Sequence, residues 1–118
     1  MDYEKFLSIY LTASSSRSLI STKDVAAVEM ATPSTVKIWY KGGRTIVLTL
    51  NAAMATNNND VSDFLSNEIA ESHNPNADSG SIYANTIIDI PTPLTSRYGA
   101  NILNNAGAAV TVTSMTIA

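Results

Sequence analysis

The chain contains no cysteine, so neither a disulfide framework nor a cysteine zinc site is open to it. Charge is scarce as well. Charged side chains make up 14% of the 118 residues, against roughly 25% in ordinary globular domains. The seven basic residues are scattered, the net charge is −3 and the isoelectric point lies near 4.8. That balance, with no Lys or Arg cluster, argues against nucleic acid as the principal partner. No apolar run approaches the ~20 residues that cross a bilayer, so no membrane partner is expected. The start, M-D-Y-E-K-F-L-S-I-Y-L-T, has no basic region followed by a continuous apolar stretch and a cleavage site. A fold that begins without a leader, in a cytosol-like compartment or a particle assembled there, is the expectation.

Ser, Thr, Asn and Ala fill the place of the missing charge. A surface that is polar but weakly charged suits a protein that lies against neighbours, because few charges must be stripped of water on contact. At 118 residues the chain (1–118) is expected to be a single domain with one core.

The stretch K-I-W-Y-K-G-G-R-T-I-V-L-T-L, residues 37–50, carries the clearest pattern. Val36, Ile38 and Tyr40 alternate with Lys37, Trp39 and Lys41; Ile46, Leu48 and Leu50 alternate with Thr45, Val47 and Thr49. Period two with a Gly-Gly turn reads as a β-hairpin. A three-residue loop of Gly42, Gly43 and Arg44 is expected, which would set Val36, Ile38 and Tyr40 opposite Leu50, Leu48 and Ile46. The other face then holds Trp39 and Val47 among Lys and Thr. Another part of the chain or a partner subunit should cover Trp39.

Residues 5–12 fit a strand or a short helix, and a polar S-S-S-R-S loop follows. Residues 24–31 suggest a strand with an irregularity near Ala26 and Ala27, ended by a Thr32-Pro33-Ser34 turn. Residues 60–72 form the one convincing helix: Val61, Phe64, Leu65 and Ile69 make an apolar stripe, Ser62, Asp63, Glu68 and Glu71 face out, and Asn59 or Asp60 caps it. Residues 82–90 return to strand. Residues 91–107 read as an irregular arm, since 94–107 show no clean period. The end, A-A-V-T-V-T-S-M-T-I-A, is a strand through Val110 and Val112 that pairs within the domain or with a neighbour. The expected class is therefore α+β: an antiparallel meander with one amphipathic helix packed on one face and a C-terminal strand completing or extending the sheet.

Catalytic chemistry finds little support. The one histidine, His73, stands at the helix end, where the dipole favours it. No nucleophile elbow, phosphate loop or dinucleotide fingerprint occurs. Residues 74–80 offer alternate oxygen side chains faintly like a calcium loop, but the glycine is one place late and Asn85 stands where a glutamate belongs. Glu29, Asp24 and Asp89 are isolated carboxylates. No catalytic residue, metal or cofactor is expected.

The block I-S-T-K-D-V-A-A-V-E followed by S-T-V-K-I-W-Y-K-G-G-R-T-I-V-L-T, residues 20–49, resembles short virion-type proteins of tailed bacteriophages, especially of marine hosts, in which a D-V-x-x-V-E strand precedes a Y-x-G-G hairpin and a helix. The same strand order also resembles the LytTR response-regulator domain, whose basic DNA-reading residues have no counterparts here. The phage resemblance implies a non-enzymatic virion component: a capsid decoration or cement protein, or else a tail or connector part, working as a homo-oligomer against other virion proteins such as the major capsid protein. A small regulatory or nucleic-acid-binding module is the alternative. The contact residues expected are Trp39, Val47, Leu94, Tyr98, Ile102, Leu103, Val110 and Val112.

Overall fold

Alternation of Leu7, Ile9 and Leu11 with Phe6, Ser8 and Tyr10 settles the ambiguous start as a strand, β1 (Phe6–Leu11). The computed structural model describes residues 5–73, 87–96 and 99–118. In it β2 (Ser16–Ser21), β3 (Val25–Thr32), β4 (Thr35–Tyr40) and β5 (Thr45–Leu50) follow, then α1 (Asp60–Ser72), β6 (Ile87–Asp89) and β7 (Val112–Ile117). The class is α+β, a mostly antiparallel seven-stranded sheet with one helix. The expected loop at 14–18 is shorter than the pattern suggested, because Ser16, Arg17 and Ser18 pair with Leu11, Tyr10 and Ile9. Of the expected 82–90 strand, residues 82–86 lie outside the described residues.

The sheet runs β2-β1-β7-β5-β4-β3, with β6 beside β1. It is therefore not one meander: β3-β4-β5 is, but the C-terminal strand enters between β5 and β1. β2 and β3 stand at opposite ends of that order and yet are joined by residues 22–24 alone. Six flat strands would hold the two edges about 24 Å apart at ~4.8 Å per gap, whereas four Cα steps reach at most about 14 Å. The sheet has to curl. The link is tied to both sides, Thr22 N–H donating to the Lys5 carbonyl and Lys41 N–H to that of Asp24. The Tyr40 hydroxyl donates across the seam to the Ser21 carbonyl at 2.6 Å.

One face of the curled sheet holds the core. Leu7, Ile9, Ile20, Val36, Ile38 and Leu48 are each 1% exposed or less, and α1 adds Val61, Phe64, Leu65 and Ile69 to the same cluster. The helix begins at Asn59, but it is the Asn58 side chain that accepts from Asp60 N–H; Asn59 makes no side-chain cap. Ser62, expected outside, is buried and donates to the Asn59 carbonyl. Glu68 is half-buried rather than facing out. At the other end His73 Nε2 lies 2.7 Å from the Thr22 carbonyl, which fixes the helix to the β2–β3 link.

The hairpin has the expected faces and a different register. Ile38 pairs with Ile46 and Val36 with Leu48, two residues away from the expected alignment. A shift of two leaves every side chain on its face, so the apolar pattern cannot separate these registers. The turn does. Gly43 N–H closes on the Tyr40 carbonyl and Tyr40 N–H on that of Arg44, making the loop Lys41-Gly42-Gly43. Both glycines have φ near +93°, a region that favours glycine, and the observed loop ends on them and leaves Arg44 in the ladder.

The described residues of 91–107 hold no helix or named strand, as expected of an irregular segment, but they fold inward and do not form an arm. Leu94, Ile102 and Val110, eight residues apart, are joined in a ring of backbone bonds: Leu94 N–H to Val110, Val110 N–H to Ile102 and Ile102 N–H to Leu94. Between them the described residues repeat one bonding pattern twice. Ser96 N–H donates to Ala100 and Gly99 N–H to Ser96; Asn104 N–H donates to Ala108 and Gly107 N–H to Asn104. Bridges Thr95 to Asn101 and Leu103 to Ala109 complete the parallel. An eight-residue repeat, L-T-S-R-Y-G-A-N then I-L-N-N-A-G-A-A, was present in the sequence. Templates of period 2 and 3.6 miss it. The Asn51 side chain holds the second hairpin to the sheet, bonded to the Ala109 carbonyl and Thr111 N–H.

Two outcomes follow. Replacing Ile102 by Ala should cost about 2–5 kcal/mol of stability in chemical denaturation, as for a core site; an arm would lose almost nothing. The Tyr40 hydroxyl is pushed up to about 12 by burial, above its unfolded value of about 10. Between those values the folded chain holds a proton the unfolded chain has lost, so stability is intact below about pH 10 and falls as pH rises toward 12. Tyr40→Phe should flatten this part of the profile and cost about 1 kcal/mol at neutral pH.

Candidate interaction surface

Strand parity sends alternate side chains of β3, β4, β5 and β7 to the outside of the curl. Cross-strand pairs place Ala27 beside Trp39, Trp39 beside Thr45, Glu29 beside Lys37, Lys37 beside Val47 and Val47 beside Thr116. The surface so built is small and polar with one indole at its centre. Trp39 is half-buried and held from two sides. Its Nε1–H donates to Glu29 Oε1 at 2.9 Å. The Lys37 ammonium stands 4.6 Å from its ring centroid, a cation–π geometry. Thr45, opposite it, is buried. Among the described residues, then, the indole meets side chains of its own face, two charged ones of opposite sign included, which fix its rotamer and leave one flank to solvent.

The other expected contact residues divide. Val47 lies half-buried on the same outer face. Leu103 is 50% exposed on the second hairpin. Tyr98 lies outside the described residues. Leu94, Ile102, Val110 and Val112 are corrected: they are 2%, 3%, 0% and 3% exposed, inside the chain's own core, and present nothing to a partner. For Leu94, Ile102 and Val110 the reason is the hydrogen-bonded ring, which turns a segment without strand or helix period inward; Val112 opens β7 opposite the buried Leu50.

Exposed apolar side chains that the sequence reading missed lie elsewhere. Leu19, Ile87 and Ile117 are 53%, 49% and 63% exposed. Phe6, paired with Ile87 and Ser21, brings half-buried aromatic surface between the first two. The signal for Leu19 was available: Leu19 and Ile20 are adjacent in a strand, so one of them had to face out. Nearby, Arg17 Nη1 donates to the Ser8 carbonyl at 3.0 Å, contacts Ser8 Oγ and the Ile90 carbonyl, and lies 3.8 Å from Asp89. This cluster staples β2 to β1 and β6.

The calcium-like loop 74–80 lies outside the described residues. Among the described residues no three His, Asp or Glu side chains gather where they could hold a metal ion. A crevice lined by Ile9, Ile90, Leu94 and Val112 has no room for a molecule the size of water. No protein-family model, no curated protein and no solved structure matches this chain.

Trp39 is the single tryptophan, so its emission reports this surface alone. Glu29→Ala should shift that emission to the red and raise its quenching by acrylamide, with a stability loss under about 1 kcal/mol for so exposed a contact. Glu29→Gln, which keeps an acceptor oxygen, should leave the spectrum near that of the parent.

Proposed function

We propose that this chain is a non-enzymatic structural protein of a virion, of the capsid decoration or cement kind, that assembles as a homo-oligomer and seats against other virion proteins such as the major capsid protein. The observation that carries this reading is the braced Trp39 face. A tryptophan held in one rotamer by Glu29 and Lys37 loses little conformational freedom on contact, and its cross-strand partners Ala27 and Thr45 are small and uncharged. Aromatic side chains in such settings are the usual anchors of protein interfaces. The low charge of the whole chain supports the same reading, since a contact here removes few charges from water.

Burial is the mechanism. A partner surface laid on β4 and β5 would cover the free flank of the indole and the Val47 side chain, while the Glu29 and Lys37 charges remain at the rim, where they set orientation rather than affinity. Light scattering over a dilution series tests this. The parent should form a defined oligomer whose dissociation constant rises about thirtyfold in Trp39→Ala, the equivalent of about 2 kcal/mol. Unchanged assembly of the variant removes the anchor role, and a parent that is monomeric at every concentration removes self-assembly.

A further inference from the structure

Among the described residues β2, β3 and the far part of β7 leave stretches of edge open, and these are not protected alike. On β3, register shifts at Val25/Ala27 and Met30/Thr32 break the ladder, and Glu29 adds a charge. On β2, Arg17 stands second in the strand and reaches back across β1. Bulges and charges are how edges are kept from pairing with other chains. The third stretch has neither. β1 ends at Leu11, and its last bonds to β7 are Thr12 N–H to Val112 and Ala13 N–H to Thr113. Beyond that point residues 114–118, S-M-T-I-A, continue along β5 with the opposite edge bare among the described residues. They hold no charged side chain, proline or glycine, and Thr116 and Ile117 are strand-forming types.

The ladder says which groups face out. Thr45 and Ala118 exchange both hydrogen bonds. Alternation then bonds Val47 with Thr116 and Thr49 with Ser114. The N–H and C=O groups of Met115 and Ile117 consequently point away from β5. We propose that this edge pairs with itself: β7 of a second copy adds antiparallel across a two-fold axis at Thr116. Among antiparallel two-fold registers, this one pairs both outward-facing residues, Met115 with Ile117 of the other copy and Ile117 with Met115, for four hydrogen bonds. A register centred on Met115 would offer Ile117 the Thr113 carbonyl, already taken by Ala13. Side chains agree with the backbone. Ile117, 63% exposed, is laid against Met115, which packs on the core, and the two Thr116 side chains meet on the outer face as a favourable cross-strand pair.

This inference rests on the self-assembly reading and names its contact, so the test has to separate the two. Amide hydrogen exchange of the full chain is followed by NMR above and below the dissociation concentration found by light scattering. The Met115 and Ile117 amides should exchange at least about tenfold more slowly in the oligomer, while Thr116, bonded within the chain, is protected at both concentrations and reports that the strand is folded. Ile117→Lys, and Met115→Pro, which removes an outward donor together with a side chain packed on the core, should each weaken assembly about tenfold or more with Thr116 still protected. An oligomer whose Met115 and Ile117 amides stay unprotected leaves self-assembly standing and overturns this contact. Protection that persists in the monomer overturns it too, because the chain then covers its own edge. A monomer at all concentrations overturns both readings.

Discussion

The three residues 22–24 impose the constraint on which the rest of the molecule depends. They join the two outer strands of a six-strand order, and no flat sheet can satisfy them. Curling divides the side chains into an inner set and an outer set with different chemistry. Inside, the strands contribute Leu, Ile and Val, and α1 brings Val61, Phe64, Leu65 and Ile69 to meet them. The seam that curling creates is held by Tyr40 on Ser21 and by His73 on Thr22, both side chains acting on carbonyls beside the link. These bonds are individually modest. Their importance is positional, since they close the contact with the largest separation in strand order.

A second constraint acts on the edge of β1. Both β6 and β7 run parallel to β1 and on the same side of it, β6 along Phe6, Leu7 and Ser8 and β7 only at Leu11. Because β6 takes the first half of that edge, β7 begins where β1 is ending and overshoots it. The chain between them has to leave the sheet at Ile90 and come back at Thr111. It does so through two passes of one bonding pattern, whose ring of Leu94, Ile102 and Val110 both satisfies backbone groups and extends the core. The bare edge of β7 and the buried ring are thus two results of one crowded strand.

The parts of the fold legible in the sequence were those with a strong local period or strong local chemistry. The β4–β5 hairpin shows its faces through period two; the helix shows its apolar positions and its stop; Ala26 and Ala27 mark a bulge that does occur. Register was less legible, because a slip of two preserves every face and only the positive φ of Gly42 and Gly43 decides it. The place of β7 was not legible at all. A local pattern carries no information on which strand a distant one joins, although the broken alternation of Val112 and Met115 reflects the register shift opposite Thr49 and Leu50. The candidate surface was legible in part. Trp39 stood out against polar neighbours, but its bracing by Glu29 required the pairing of β3 with β4.

Two of the eight expected contact residues, Leu94 and Ile102, went inward for a common reason. Exposure was inferred from lack of period, yet lack of period shows only that neither regular template applies. In 94–110 the apolar residues are spaced by the length of one repeat, and each marks the point where the chain returns to the same hydrogen-bonded ring. Burial by return differs from burial by face: one side chain per pass is enclosed while the turns between carry Gly, Ala and Asn. A weakly charged chain can build its ends this way without long apolar runs, and it then keeps its largest uncommitted side chains for the outside of the curl. Trp39, Leu19 and Ile87 lie there at the positions that strand parity leaves open, while Ile117 is exposed on the core-side parity at the free end of β7. The core does not need them, so any selective use they have is in contacts beyond the core.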